Sequence, residues 1–230
     1  MVTMPDTSSP MTSPAAQLKL VGGIPCLDFV NTVGSRVPSR DAAIRRGESL
    51  GLEIVDEKLS TYDDLLSWSR HAGLLPDTVV RRLLAGARHS PRESAAVLKR
   101  AVAFREVLHR IFIDLLHGRS PSRADTDLLN REISIARSHQ RLSAATQGYA
   151  WIWDTDAALD NMLWVVADSA ARLVTSANLP RLRQCAGHRC GWLFVDSTRN
   201  GSRHWCDMKD CGNAAKVRRF RQRARANKKS

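Results

Sequence analysis

Four cysteines near the C-terminal end constrain this chain more than any other feature. Cys185 and Cys190 form one pair, fifteen residues follow, and Cys206 and Cys211 form a second. Two short pairs joined by a loop can converge on one tetrahedral ion, each pair curling into a knuckle that offers two thiolates at about 2.3 Å. An isolated cysteine reads as a small buried hydrophobe, but two equally spaced pairs in one short segment do not. Soft thiolate ligands at this spacing favour zinc, with iron–sulfur ligation as the chemical alternative for the same four groups. A full set of thiolates leaves no open coordination position, so one structural Zn2+ is expected. His188 and His204 lie close in sequence but are left out of the ligand set. The fifth cysteine, Cys26, has no neighbouring partner, which fits a reducing, cytoplasmic setting.

Charge is concentrated in the same region. The chain carries a net +12, and residues 181–230 hold fourteen Lys/Arg against three Asp/Glu, leaving the first 180 residues close to neutral. Even after four thiolates and a divalent ion are counted, the segment keeps about +9, a footprint for a polyanion confined to one module. The rest of the composition, 43% hydrophobic and 25% charged, is that of an ordinary globular protein. No signal peptide and no membrane span is expected, because the N-terminus lacks an apolar run and no stretch reaches roughly 18 uninterrupted apolar residues.

Along the chain, residues 1–17 read as a flexible leader rich in Ser, Thr and Pro. A short strand is expected at 18–21, a turn at Gly22 and Gly23, and a new element after Pro25. Residues 36–51 read as loop, and 52–55 as a second short strand. From Thr61 helical signals dominate: Thr61 and Asp64 make a capping box, Gly73 a stop, and Pro76 the next start. Ser90-Pro91 opens the longest helix, whose apolar residues Val97, Ala101, Phe104, Leu108, Ile111, Phe112 and Leu115 recur at helical steps. Ser120-Pro121 opens another. A hairpin is expected from 142–146 and 149–153, and a last long helix over 154–177. The predicted organisation is a mainly helical domain over 18–177, a hinge over 178–183 and the cysteine module over 184–230. The fold class is mainly α with minor β: a helical N-terminal domain plus a small four-cysteine zinc-finger module with a basic C-terminal helix.

Within that module, Trp192, Leu193, Phe194 and Val195 form an apolar run, and with Trp205 they are expected to pack around the metal. Asn213 is placed to cap a final helix. Val217, Phe220 and Ala224 then make a thin seam expected to lie against the knuckles. Lys216, Arg218, Arg219, Arg221, Arg223 and Arg225 cover the remainder of that helix, and Arg199 and Arg203 stand on the loop between the pairs. These eight residues are the candidate nucleic-acid contacts, since phosphates relieve their mutual repulsion and arginine forks can bond guanine edges or phosphates. In the helical domain, Asp28, Asn31 and Thr32 form a polar cluster inside an apolar motif and are the candidate lining of a ligand pocket, against a competing role as caps of buried backbone. No phosphate-binding glycine loop, nucleophile elbow or His-Glu-x-x-His pattern occurs, so no catalytic residue is assigned and an enzyme is not expected.

The segment from Cys185 to Arg223, CAGHRCGWLFVDSTRNGSRHWCDMKDCGNAAKVRRFRQR, resembles the CGNR-type zinc finger of bacterial proteins. Upstream, Gly22-Gly23 with the run LDFVNT resembles the start of the ABATE domain, described as a stress-induced transcription regulator. Together the two resemblances cover most of the chain. One departure is visible: the arginine that gives the finger its name is Ala214 here. The resemblance implies zinc binding and a DNA-binding regulatory role. On that reading DNA is the partner, the helical domain senses a small-molecule effector or protein, and a homodimer could pair two fingers. RNA binding, or a small-molecule-binding or enzymatic body with a merely structural finger, are the alternatives.

Overall fold

In a computed structural model, residues 13–38, 52–154 and 158–227 are described. These described residues are mainly helical, with three separate two-stranded antiparallel sheets among them. In order come α1 (Pro25–Val30), β1 (Val33–Pro38), β2 (Leu52–Glu57), α2 (Tyr62–His71), α3 (Asp77–His89), α4 (Pro91–Leu116) and α5 (Arg123–Ser138). They are followed by β3 (Gln140–Ala145), β4 (Gly148–Trp153), α6 (Asn161–Val174), β5 (Leu182–Gln184), β6 (Leu193–Val195) and α7 (Asn213–Asn227).

Local chemistry explains most of these boundaries. The Thr61 hydroxyl accepts from the Asp64 amide while the Asp64 carboxylate accepts from the Thr61 amide, so the capping box forms with Asp in place of Glu. Pro91 occupies the first turn of α4, where its missing N–H costs nothing. Ser122 caps α5 through the Asp125 amide. The hairpin pairs Leu142 with Trp151 and Ala145 with Gly148.

Around α4 and α6 the buried faces merge into one core. Phe29 of α1 lies between Trp68 and Phe104, with ring centroids 5.2 and 6.4 Å away. Met162, Leu163, Val166, Ala167 and Ala170 of α6 are fully buried against α1 and α5. Truncating a ring at this density, Phe104→Ala for instance, costs about 3–5 kcal/mol.

A charged network also runs through the interior. Arg105 of α4 is wholly buried and bonds Glu57 bidentately at 2.6 Å through each amino group, and Glu106 at 2.8 Å. Glu106 bonds the Arg36 guanidinium as well. Burial alone would raise the Glu57 and Glu106 carboxyls, but the hydrogen bonds and charges of these arginines hold both below the usual carboxylate range. Burial and the nearby Arg36 charge lower His109 to about 3, so it stays neutral beside the network.

Several expectations are corrected. Residues 18–21 form no strand; the Leu18 carbonyl instead accepts from the His71 ring at 2.7 Å. Pro14–Gln17 is a 3-10 helix seated on α2 with Ala15 fully buried, so residues 13–17 are packed chain rather than flexible leader. Residues 1–12 lie outside the described part. Arg36 belongs to β1 rather than to a loop, while 39–51 are not described. Helix α6 begins at Asn161, later than expected, because Asp154 still bonds back to the hairpin through the His139 carbonyl at 2.8 Å. The stretch expected to be a hinge holds a 3-10 turn, Leu179–Arg181, and the start of β5, with Leu182 buried in the core.

Candidate zinc centre and basic helix

Strands β5 and β6 pair Leu182 with Val195 and Gln184 with Leu193, and the ladder continues as Cys185 donates to the Trp192 carbonyl at 2.8 Å. The first cysteine pair therefore sits on the tip of a hairpin. A turn from Gly187 to Cys190 brings the second thiol round, and Gly191 (φ 71°) makes the reversal where a Cβ would strike Arg36 at 2.9 Å. The second pair is spaced by a different device. Asp207 caps a wide helical turn, Met208–Gly212, by accepting from the Lys209 amide at 2.6 Å. That five-residue turn returns Cys211 to the side of Cys206, which is why four residues separate them.

The four sulfurs lie within 4.8 Å of one another, with Cys206 Sγ 3.6 Å from both Cys190 Sγ and Cys211 Sγ. A tetrahedron of about 2.3 Å Zn–S bonds has edges of about 3.8 Å, so shifts of at most about 1 Å bring the four sulfurs round one zinc ion. Amides of Gly187 and Cys206 point at Cys185 Sγ at 3.4 and 3.3 Å, donors suited to a thiolate. Contacts with Cys190 and Cys206 push the Cys185 thiol down, and the same crowding pushes Cys206 up. Cys26 is the opposite case: burial raises it to about 12, which leaves an inert thiol.

The loop between the pairs is organised by Asp196, a residue the sequence reading did not single out. It is fully buried and accepts from the Thr198 amide and hydroxyl and from the Arg203 amide at 2.9, 2.6 and 2.9 Å. Hydrogen bonds from Thr198 hold its carboxyl below the usual range. An Asp two residues before a Thr is a local turn signal that could have flagged it. Arg203 lies over the Phe194 ring, 4.1 Å from its centroid, and donates to the carbonyls of Trp205, Val21 and Cys206. Its guanidinium braces the module, unlike Arg199, which is exposed on the loop. Phe194, Trp192 and Trp205 cluster with the four cysteines, as expected, whereas Leu193 and Val195 of the same run pack into the core of the helical body instead.

The module is fastened to the helical body at many points. Asn31 donates its amide to the Leu193 carbonyl at 2.8 Å and accepts from the Leu193 amide at 2.9 Å, so one side chain acts as a strand along β6. Trp192 donates to the Val33 carbonyl at 2.9 Å, Arg36 to the Cys190 carbonyl at 3.0 Å, and Val195 to the Gly22 carbonyl at 3.0 Å. Lys19 pairs with Asp207 and Asp210. Thr32 donates to the Phe29 carbonyl at 2.7 Å and is buried. Asn31 and Thr32 thus satisfy interior backbone groups, the competing role of caps of buried backbone. Asp28 accepts from the Gly22 amide at 2.8 Å, across a gap where a Cβ on Gly22 would sit 2.8 Å from the Asp28 nitrogen. Burial raises the Asp28 carboxyl to about 6.

Helix α7 continues directly from the wide turn. Asn213 is inside the helical run, its side chain donating to the Lys209 carbonyl at 3.0 Å, so the cap is Asp207 and not Asn213. The helix contains no acidic residue, and Lys216, Arg218, Arg219, Arg221, Arg223 and Arg225 are all exposed. The apolar seam does not lie against the knuckles: Val217 and Phe220 are 49% and 73% exposed, and no residue of α7 is buried. Lys216 and Arg219 border a cleft with Thr198, Ser202 and His204, which joins the loop to the helix. On the other flank, Arg218 and Arg219 share a groove with His188 and the exposed Arg189, a basic residue absent from the predicted set. Ala214 lines that same groove.

Two protein-family models match the chain. Residues 23–177 match the ABATE family, whose description is "Putative stress-induced transcription regulator", and residues 181–224 match the CGNR zinc finger. No curated protein matches the chain. Among the described residues, no helix is long and apolar enough to cross a membrane.

Proposed function

Because the chain belongs to the ABATE family and ends in a CGNR zinc finger, we propose that it is a zinc-dependent DNA-binding transcription regulator. In this reading α7 and the neighbouring loop contact DNA, and the helical body responds to an effector or partner. The observation that supports it most is α7 itself: six cations, no acid, no buried side chain, launched directly from the metal-holding turn. A helix this charged is marginal alone, because its like charges repel. Phosphates relieve that repulsion and release counterions, so the helix gains most of its favourable interactions only when a polyanion is present. Zinc has no chemical step in this account. The ion fixes where the helix starts and in which direction it leaves the body.

Arg199, Arg218, Arg219, Arg221, Arg223, Arg225 and Lys216 form the proposed contact set, with Arg189 added as a flanking phosphate contact. Arg203 is withdrawn from it, since its guanidinium is already occupied by Phe194 and three carbonyls. The body acts as a regulator's sensing domain and not as an enzyme.

The test is a salt-titrated comparison of zinc-loaded protein on random duplex DNA, genomic fragments and structured RNA. The proposal expects a selected duplex sequence bound well above background near physiological salt. Preference for folded RNA, or binding to everything that vanishes with modest salt, would overturn it.

A further inference from the structure

The β3–β4 hairpin carries four exposed large hydrophobic side chains. Tyr149 is 73% exposed, Trp151 62%, Leu142 57% and Ile152 47%. The first three share one face, since Tyr149 and Trp151 are two residues apart and Leu142 stands directly opposite Trp151. The ridge continues through Trp153, half-buried 6.4 Å from core Trp164, so the hairpin is anchored at its base and bare towards its tip. Among the described residues no third strand joins either edge.

Soluble proteins guard such edges with lysines, prolines, bulges or covering elements. Among the described residues this hairpin has none of these guards. Strand β4, GYAWIW, contains no charged residue, and the single charge of β3, Arg141, is tied to Asp154 and to the backbone of Ser138 and Gln140. Without free cations the ridge is a poor surface for a nucleic acid, whose binding begins with phosphate. A two-stranded sheet is also marginal by itself, and a third or fourth strand removes that weakness.

We propose that the β3–β4 hairpin is a self-association surface, on which a second copy of this chain places the same hairpin about a two-fold axis. The aromatic ridge then meets its own copy, as an isologous interface requires. At about 150–250 Å² for a fully buried aromatic side chain, the exposed parts of Leu142, Tyr149 and Trp151, the residues that share the face, amount to roughly 400 Å² per chain. Two copies would bury roughly 800 Å² from these three side chains, and the half-buried Trp153 and the hairpin backbone on the same face extend the contact toward the roughly 1,000 Å² that a specific interface needs. This inference is independent of the DNA-binding reading. The two also differ in their response to salt, since burial of uncharged surface is held or strengthened where phosphate binding weakens.

Sedimentation of the full-length, zinc-loaded protein without nucleic acid, over about 1–100 μM, tests it. The expected result is a dimer of twice the 25.6 kDa chain, undiminished at high salt. The double variant Tyr149→Lys with Trp151→Lys should be monomeric across the range, with unchanged helical circular dichroism and zinc content. If lysines loosen the hairpin, hydrogen exchange on the wild type decides: β4 amides should gain protection as concentration rises. A wild-type monomer at the highest concentration would overturn the proposal. So would a dimer that survives both lysines, or one whose β4 exchange is independent of concentration.

Discussion

The two parts of the C-terminal module are adjacent in sequence and opposite in character. Up to Cys211 the chain is stitched to the body: Leu193 by Asn31, the Cys190 carbonyl by Arg36, Trp192 by Val33, and Asp207 and Asp210 by Lys19. From Asn213 onward α7 buries no residue at all. The first part passes the metal's constraint into the fold, while the second uses that constraint only to fix its starting point. Changes in the knuckles should therefore appear in melting, and changes in α7 should appear in binding and almost nowhere else.

The largest effect belongs to the metal. Structural zinc in isolated finger peptides is worth about 10–16 kcal/mol at neutral pH. Chelation, or Cys190→Ser, should release the ion and unfold the module while most helical circular dichroism remains, because α2–α6 lie in the body. The knuckle contacts with Asn31 and Arg36 are lost with it, so the body's Tm should fall too. Loss of zinc with unchanged melting would break the coupling between the two parts.

Next comes the interior ion network. Arg105→Ala leaves Glu57 and Glu106 without their shared partner and should cost about 3–5 kcal/mol, read as a fall in Tm. The pH dependence has a defined sign. Both carboxyls are held below their ordinary pKa when folded, so their stabilisation is present above about pH 4 and is lost as pH falls through the depressed values. The gap between wild type and variant should narrow in acid. A gap that widens would mean the network is not what Arg105 supports.

A smaller effect is expected at the seam. Asn31→Ala orphans the Leu193 N–H and C=O, at about 1–3 kcal/mol for each buried unsatisfied group, and should leave zinc bound. Thermal unfolding with metal analysis checks both halves of that statement. If Asn31 instead served a ligand pocket, its truncation would leave stability nearly unchanged.

What the sequence revealed and what it hid follow from how local each signal is. The Thr61–Asp64 box, the Ser90-Pro91 helix start, the glycine stop at Gly73 and the cysteine pairs are complete within a few residues, and each is legible; Ser120-Pro121 is not a start, because Ser122 caps α5 and the helix begins at Arg123. The clip from Asn31 to Leu193 spans 162 positions, and nothing near Asn31 distinguishes it from a pocket residue. Arg203 looked like its basic neighbours because only the fold brings Phe194 beneath it. The cap misassigned to Asn213 failed for a related reason: the wide turn Met208–Gly212 moves the start of the helix back to Asp207. The apolar positions of α7 have a helical period, but periodicity does not say whether anything covers them, and Phe220 is left exposed.

Helix α7, proposed to bind DNA, buries no residue in the fold. The most direct test is the double variant Arg219→Ala with Arg223→Ala, measured for Tm, zinc content and DNA affinity across a salt series. The expected variant keeps stability within about 0.5 kcal/mol of wild type and full zinc occupancy. Its binding is markedly weaker, with a salt slope lower by about 1.8, near 0.9 for each lost phosphate contact. Unchanged affinity and an unchanged slope would contradict DNA binding by α7.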